Sequence, residues 1–105
     1  MTEVAIQDLV DYFHDEKAEQ SPNYKAFIEE RIGEKDVEEV YGVGPEAAAK
    51  LREKNIFKAW QLLGFVINND KDDTLAFLKK YGVAATYAKA VAFTLVQYFK
   101  KHNCD

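Results

Sequence analysis

The sequence predicts an all-α fold: a compact domain of five to six helices, built around a helix-hairpin-helix motif and assembled as a homodimer. Three features of the chain support this prediction. A two-glycine turn, Gly42-Val43-Gly44, is followed by Pro45, apolar residues recur at helical spacing on both sides of it, and residues 58–69 are apolar on nearly every face. The length of 105 residues and the hydrophobic content of 48% are those of one small folded domain.

The first twenty residues are predicted to form an acidic amphipathic arm, distinct from the main domain over residues 21–105. Within residues 3–18, apolar side chains and acids alternate at the spacing of one helix. The apolar stripe of this helix must be buried, either on the main domain of the same chain, which we favour, or on a partner. The stripe consists of Val4, Ile6, Leu9, Val10 and Phe13.

The main domain begins at Ser21-Pro22, a pair that is typical of a helix start. Serine caps the first turn, and proline fits the first helical position because its missing N–H costs nothing there. This second helix is expected to end at Ile32-Gly33, and residues 37–41 to form the first arm of the hairpin motif. The apolar side of the helix that begins at Pro22 consists of Tyr24, Phe27 and Ile28.

The hairpin motif places its two glycines between the end of one helix and the start of the next. Gly42 and Gly44 stand where the backbone needs a positive φ or a close approach to something outside the chain. Pro45 fits the first position of the helix that follows the turn. Asn55 tolerates left-handed backbone geometry and could therefore end that helix. Unpaired N–H groups at such a helix start form an anion site, for which phosphate is the natural ligand. The alternative is a turn that only packs two helices, but the complete motif favours phosphate binding.

The helix over residues 58–69 is the basis of the predicted dimer. A domain of this size cannot easily surround a helix on all sides, so one face is expected to contact a second subunit. Gly64 in the middle of the helix would let two backbones approach closely. The alternative is a central core helix in which Gly64 is merely tolerated. The predicted interface consists of Trp60, Leu63, Gly64, Ile67 and Phe77.

A second, degenerate hairpin is predicted near the end of the chain. Residues 82–88 repeat residues 42–48 in part, forty positions later, with Gly, Val and a later Ala in common. The helix that follows is expected to run to about Lys101. Its start would offer further backbone N–H groups, with Lys89 one turn inside.

Charge is distributed unevenly along the chain. The net charge is −4, yet residues 1–39 carry 4 Lys/Arg and 12 Asp/Glu, whereas residues 40–105 carry 10 and 6. The hairpin motif therefore lies in a body with a net charge of +4 (10 minus 6), which suits a polyanionic partner better than the whole-chain value suggests.

Several classes of function are not supported. His14, His102 and the single Cys104 have no zinc spacing, no serine or cysteine stands in a nucleophile context, and the acids of residues 70–73 are interpreted as a helix cap. We therefore predict no enzyme, metal or cofactor. No apolar run reaches the roughly 18 residues of a membrane helix and no signal peptide is recognisable. The short apolar runs predict no membrane insertion. A single cysteine cannot form an internal disulfide, which favours an intracellular, reducing location.

From Ser21 onward, about four fifths of the chain resembles the barrier-to-autointegration factor family. The resemblance rests on Ile32-Gly33-Glu34-Lys35, the Gly42-Val43-Gly44 turn, Lys50-Leu51, Lys58-Ala59, Leu63-Gly64, Lys71-Asp72 and Gly82. It implies a homodimer that binds and bridges double-stranded DNA without sequence preference, acts in chromatin and nuclear-envelope organisation, and occurs in the nucleus and cytoplasm. It also implies a groove for LEM-domain proteins, and phosphorylation of Ser21 that releases DNA by adding negative charge.

The residues that the resemblance and the two hairpins assign to DNA binding are Pro22, Asn23, Gly42, Val43, Gly44, Glu46, Ala47, Lys50, Ala85, Thr86, Tyr87 and Lys89. Asn23, Ala49 and Thr86 stand where the family usually has a basic residue, and Glu46 adds an acid. These departures motivate an alternative function: a dimeric interaction protein of the same fold with weakened or lost DNA binding, which engages LEM-domain-type partners or a paralogue. The acidic arm has no counterpart in the short family form, and we expect it to be ordered and to restrain DNA binding.

Overall fold

The computed structural model describes the backbone of residues 3–103 and the side chains of residues 7–102. Cys104, and the side chains of Val4 and Ile6 from the predicted apolar stripe, lie outside these residues. The described chain forms seven α-helices and one turn of 3-10 helix, and its only strand-like pairing is an isolated bridge between Asp36 and Lys58. The predicted all-α class is therefore confirmed. The helices are α1 (Glu3–Phe13), α2 (Glu16–Gln20), α3 (Pro22–Glu29), α4 (Pro45–Glu53), α5 (Ala59–Asn68), α6 (Lys71–Lys80) and α7 (Ala85–Asn103), with the 3-10 turn at Val37–Glu39.

The last helix, α7, is the centre of the fold. It packs against α1, α3, α5 and α6. All seven residues from Ala90 to Val96 are buried, and the hydroxyl of Thr94 donates to the carbonyl of Ala90 at 2.8 Å. The helix that is enclosed on all sides is thus α7. In α5 one face is buried and the opposite face is open, with Trp60 50% exposed.

The N-terminal arm consists of two helices instead of the single helix predicted over residues 3–18. The chain leaves helical geometry after Phe13, and the side chain of Asp15 accepts from the N–H of Ala18 to start α2. Helix α1 packs on α7, with Phe13 fully buried and Val10 8% exposed. The described part of the apolar stripe, Leu9, Val10 and Phe13, is therefore covered by the same chain, as favoured. The boundary drawn between residues 20 and 21 stays a prediction.

From Pro22 onward the structure has five α-helices and the 3-10 turn, which agrees with the predicted five to six. Ser21 caps α3 as expected, because its hydroxyl accepts from the N–H of Asn23 at 3.2 Å. Helix α3 ends at Glu29, three residues before the predicted Ile32-Gly33 end. The first arm of the hairpin is only the 3-10 turn at Val37–Glu39, because Val40 already has extended backbone geometry.

Two helices end in the same hydrogen-bonded motif. At the end of α4, Asn55 has φ +65° and the N–H of Ile56 donates to the carbonyl of Leu51 at 3.0 Å. At the end of α6, Gly82 has φ +91° and the N–H of Val83 donates to the carbonyl of Leu78 at 3.0 Å. Both are Schellman caps, in which a left-handed residue lets the chain turn back on the last carbonyls. The predicted role of Asn55 is confirmed.

The start of α6 agrees with the interpretation of residues 70–73 as a cap. The side chain of Asp70 accepts from the N–H of Asp73 at 2.8 Å. Within residues 3–103, no group of three or more His, Cys, Asp or Glu side chains is placed to hold a metal ion. Over the same residues, no helix combines the length and the apolar character needed to cross a membrane.

Candidate nucleic-acid interface

The first hairpin turn uses its two glycines for different purposes. Gly42 has φ +94°, and a Cβ atom there would lie 2.7 Å from Cγ2 of Val91 on α7. Gly44 has φ −88° and ψ 175°, which any residue adopts, and a Cβ atom there would meet no atom of the described residues within 4 Å. The fold therefore requires glycine at position 42 and does not require it at position 44, where the backbone is open to an external ligand.

The start of α4 presents amide groups without an acceptor among the described residues. Gly44 is the N-cap, makes no side-chain cap and is followed by Pro45 at the first helical position. The first intrahelical bond runs from the N–H of Ala48 to the carbonyl of Gly44 at 2.9 Å. The N–H groups of Glu46 and Ala47 thus have no acceptor within the described residues. Such groups at the positive end of a helix bind anions.

The second hairpin turn faces the first across one pocket. The pocket has a volume of about 490 Å³ and is bordered by both turns and by the starts of α4 and α7. The carbonyl of Ala84 accepts from Tyr87 and Ala88, which leaves the N–H groups of Ala85 and Thr86 without an acceptor among the described residues. The lining residues are Gly42, Val43, Gly44, Pro45, Glu46, Ala47, Gly82, Val83, Ala84 and Tyr87. Two helix N-termini therefore border the same concave surface.

The predicted repeat is confirmed by the backbone. Gly42 and Gly82 have nearly equal φ values of +94° and +91°. Helices α4 and α7 begin at Pro45 and Ala85, again forty positions apart. Gly82, Val83 and Ala84 also line the pocket, although they were not among the residues predicted to bind DNA. The repeat was the signal that could have identified them.

A second pocket, of about 540 Å³, adjoins the first on the side of α3. The two pockets share Gly42, Val43 and Tyr87, whose ring is 49% exposed between them. Asn23 lines this second pocket, whereas Pro22 lines neither. Its other polar walls include Glu30 and Lys35, joined at 2.7 Å between Oε1 and Nζ. This ion pair raises the pKa of Lys35 and lowers that of Glu30, so the cation of Lys35 already has an acidic partner.

The two lysines assigned to the interface lie in different surroundings. Lys50 packs across Gly82, since a Cβ atom added there would lie 3.4 Å from both Cδ and Nζ of Lys50. Its ammonium group therefore lies beside Gly82, which lines the pocket between the two turns, although Lys50 itself does not line it. The Nζ of Lys89 lies 5.3 Å from the centre of the Tyr12 ring on α1, and Lys89 does not line the pocket.

An ion pair connects the start of the 3-10 turn to α4. Arg52 Nη2 lies 2.5 Å from Oδ2 of Asp36, and the same carboxylate oxygen accepts from the N–H of Glu38 at 3.0 Å. The backbone N–H of Glu38 and then the Arg52 guanidinium hold the pKa of Asp36 below its usual range. Both partners are partly exposed, so this contact orients the 3-10 turn more than it stabilises the domain.

The predicted dimer residues do not all lie on the open face of α5. Trp60 is 50% exposed, Ile67 is half-buried, and a Cβ atom at Gly64 would lie more than 4 Å from every described residue outside its immediate surroundings in the helix. These three positions share one face of the helix. Leu63 is only 9% exposed and belongs to the core of its own chain, and Phe77 stacks on Phe65 with 4.0 Å between ring centres.

The fold and the paired turns define a class of protein, an all-α helix-hairpin-helix protein in which two helix starts present backbone N–H groups suited to an anion. Residues 18–102 match the sequence model of the family described as Barrier to autointegration factor. The chain is also similar to Barrier-to-autointegration factor 1 of Caenorhabditis elegans, with 33% identity over 72 residues, which cover 66% of this chain and 81% of the relative. The chain therefore belongs to the barrier-to-autointegration factor family, a family of non-enzymatic DNA-binding chromatin proteins, and the resemblance is confirmed. Helix α1 lies outside the matched residues.

Proposed function

We propose that this protein is a non-enzymatic, sequence-independent binder of double-stranded DNA that bridges duplexes as a homodimer in chromatin and at the nuclear envelope. The observation that carries the proposal is the convergence of the α4 and α7 N-termini on one pocket, with N–H groups of Glu46, Ala47, Ala85 and Thr86 unsatisfied within the described chain. Backbone N–H groups are suited to phosphate oxygens, which carry no base information. The net charge of +4 on residues 40–105 supports the same partner.

Bridging of two duplexes requires two DNA-binding surfaces in one assembly. We propose that two copies of the chain associate through the open face of α5. Trp60, Gly64 and Ile67 form an apolar face that the described residues leave open, unlike the buried face of the same helix. Aromatic anchors beside a glycine suit a closely packed, symmetric helix contact. We expect the assembly in the nucleus and cytoplasm, and Ser21, at the start of α3 next to the second pocket, as a phosphorylation site that lowers DNA affinity.

The proposal is tested by titrating a short duplex of arbitrary sequence with the full chain and following fluorescence anisotropy. We expect affinity to fall at least about tenfold between 50 and 200 mM salt, because phosphate contacts release counterions. Duplexes of different sequence should bind alike, within about threefold, since each good base contact would discriminate by more. Binding that does not change with salt, or no binding at low salt, would contradict the proposal.

The dimer is tested by replacing Gly64 with glutamate. A side chain at this position has free space in the single subunit, and glutamate favours helix over glycine by about 0.5 kcal/mol, so the fold should persist. In a dimer the carboxylate would be buried without a partner, which costs several kcal/mol. We expect Gly64→Glu to sediment as a monomer and Gly64→Ala as a dimer. A Gly64→Glu dimer of unchanged stability would place the contact elsewhere.

A second function is favoured by the acid in the pocket. Glu46 lines the phosphate-facing wall, and Lys89 is held away from it on Tyr12. Asn23 and Thr86 add no positive charge. These features suit a dimeric interaction protein with weakened DNA binding that engages LEM-domain-type partners or a paralogue. The titration above separates the two functions at about 0.15 M ionic strength, where exposed charges are already screened over about 8 Å.

A further inference from the structure

One aromatic side chain of α1 holds two lysines of the main domain. Tyr12 is 37% exposed, and the Nζ atoms of Lys71 and Lys89 lie 4.4 Å and 5.3 Å from its ring centre. These distances are within the range of a cation–π contact. Helix α1 precedes residues 18–102, which match the family, so the ring is contributed by a segment outside the matched fold.

The position of Lys89 on α7 makes this contact relevant to the pocket. Lys89 follows Ala85 by four residues and Thr86 by three, so all three positions share one face of the helix. Side chains on a helix lean toward its N-terminus. A free Lys89 would therefore extend toward the N–H groups of Ala85 and Thr86 at the start of α7, beside the pocket residues Ala84 and Tyr87. In the structure its ammonium group lies over Tyr12 instead.

Lys71 provides a useful contrast on the same ring. It is the first residue of α6, and the pocket is reached only at the other end of this helix, at Gly82. At a rise of 1.5 Å per residue, the ten residues of α6 separate Lys71 from that end by about 15 Å. Removing either lysine changes the net charge equally, but only Lys89 is close to the start of α7.

We propose that α1 restrains DNA binding by retaining Lys89 on the ring of Tyr12, so that one cation of the interface is unavailable to phosphate. This inference rests on the proposed function and assigns its regulation to one contact. The acids Asp8 and Asp11, exposed on the same helix, add repulsion toward a polyanion approaching Lys89. A partner that moved Tyr12 away from Lys89 would release this lysine for an additional phosphate contact, while the two hairpin turns stay in place.

The experiment changes the ring and keeps α1 docked. Tyr12→Leu removes the cation–π contact, leaves every charge in place and leaves Phe13 and Val10 to anchor the helix, whereas Tyr12→Phe keeps an aromatic face. We expect Tyr12→Leu to bind a 20-base-pair duplex about 2- to 5-fold more tightly at low salt, and Tyr12→Phe to bind like the unmodified chain. The slope of log affinity against log salt should steepen by about 0.9 in Tyr12→Leu, one phosphate contact.

Two double variants identify the lysine. Tyr12→Leu with Lys89→Ala should lose the gain in affinity and in salt slope, and Tyr12→Leu with Lys71→Ala should retain most of it. The side-chain NMR shifts of Lys89, which the Tyr12 ring current displaces, report the contact in the absence of DNA. If Tyr12→Leu releases Lys89 by NMR but binds DNA no more tightly than the unmodified chain, the inference is wrong and the proposed function stands. If no variant binds duplex DNA at low salt, both are wrong.

Discussion

Replacing Gly44 with aspartate is expected to lower the affinity for duplex DNA by at least about 100-fold and to leave the folded domain intact. The N-cap of α4 has the extended geometry that a capping side chain requires, and a Cβ atom there would meet nothing within 4 Å in the described part of the chain. The new carboxylate would accept from the free N–H groups of Glu46 and Ala47. It would occupy the donors that we assign to phosphate and place a like charge beside it.

The magnitude follows from two contributions. Hydrogen bonds to a charged acceptor contribute about 1.5–3 kcal/mol each, and two like charges about 4 Å apart near a protein surface repel by up to roughly 4 kcal/mol. A loss of about 2.7 kcal/mol already corresponds to 100-fold in affinity. Stability should be equal or higher by a few tenths of a kcal/mol, because aspartate is a better N-cap than glycine.

Two controls separate the causes. Gly44→Asn caps the helix without adding charge, so it should weaken binding by an intermediate amount. Gly42→Ala tests the other glycine: a left-handed backbone and a Cβ 2.7 Å from Val91 should destabilise the fold itself. Anisotropy titrations and thermal melts of the variants measure both properties. If Gly44→Asp binds DNA like the unmodified chain, the start of α4 does not hold phosphate.

Replacing Phe13 with alanine is expected to cost about 3–5 kcal/mol of unfolding free energy. Its ring is fully buried where α1 packs on α7, and alanine would leave a cavity between the two helices. The loss is large beside the roughly 5–15 kcal/mol that a domain usually has. This burial is also why deletion of residues 1–20 would confound any test of autoinhibition, since it would expose the surface of α7.

Urea denaturation at one fixed protein concentration measures the effect, because the proposed dimerisation would link stability to concentration. Tyr12→Leu is the matched control: it changes the adjacent, partly exposed ring and should cost less than about 1 kcal/mol. A loss below 1 kcal/mol for Phe13→Ala would mean that α1 is not docked on α7 in solution.

Much of the candidate site was predictable because its signals are local. The Gly42-Val43-Gly44 turn, Pro45 at the start of α4 and the repeat forty residues later each depend on a few neighbouring residues. The contacts that the charged side chains make were not predictable from neighbouring residues. Lys89 was assigned to DNA on its position in α7, and the structure places it on Tyr12, seventy-seven positions earlier in the chain (89 minus 12).

The sequence by itself determined the all-α class, the cap at Ser21, the left-handed Asn55 and the paired hairpins. Preferences for φ and for capping hydrogen bonds act within about one helical turn, so the residues at each turn specify it. Only the tertiary structure decided that α7 is the central helix, that α1 ends at Phe13 and docks there, and that α5 keeps an open face at Trp60. The physical reason is that a helical apolar pattern shows that a face must be covered, but the covering surface comes from residues far away in the chain.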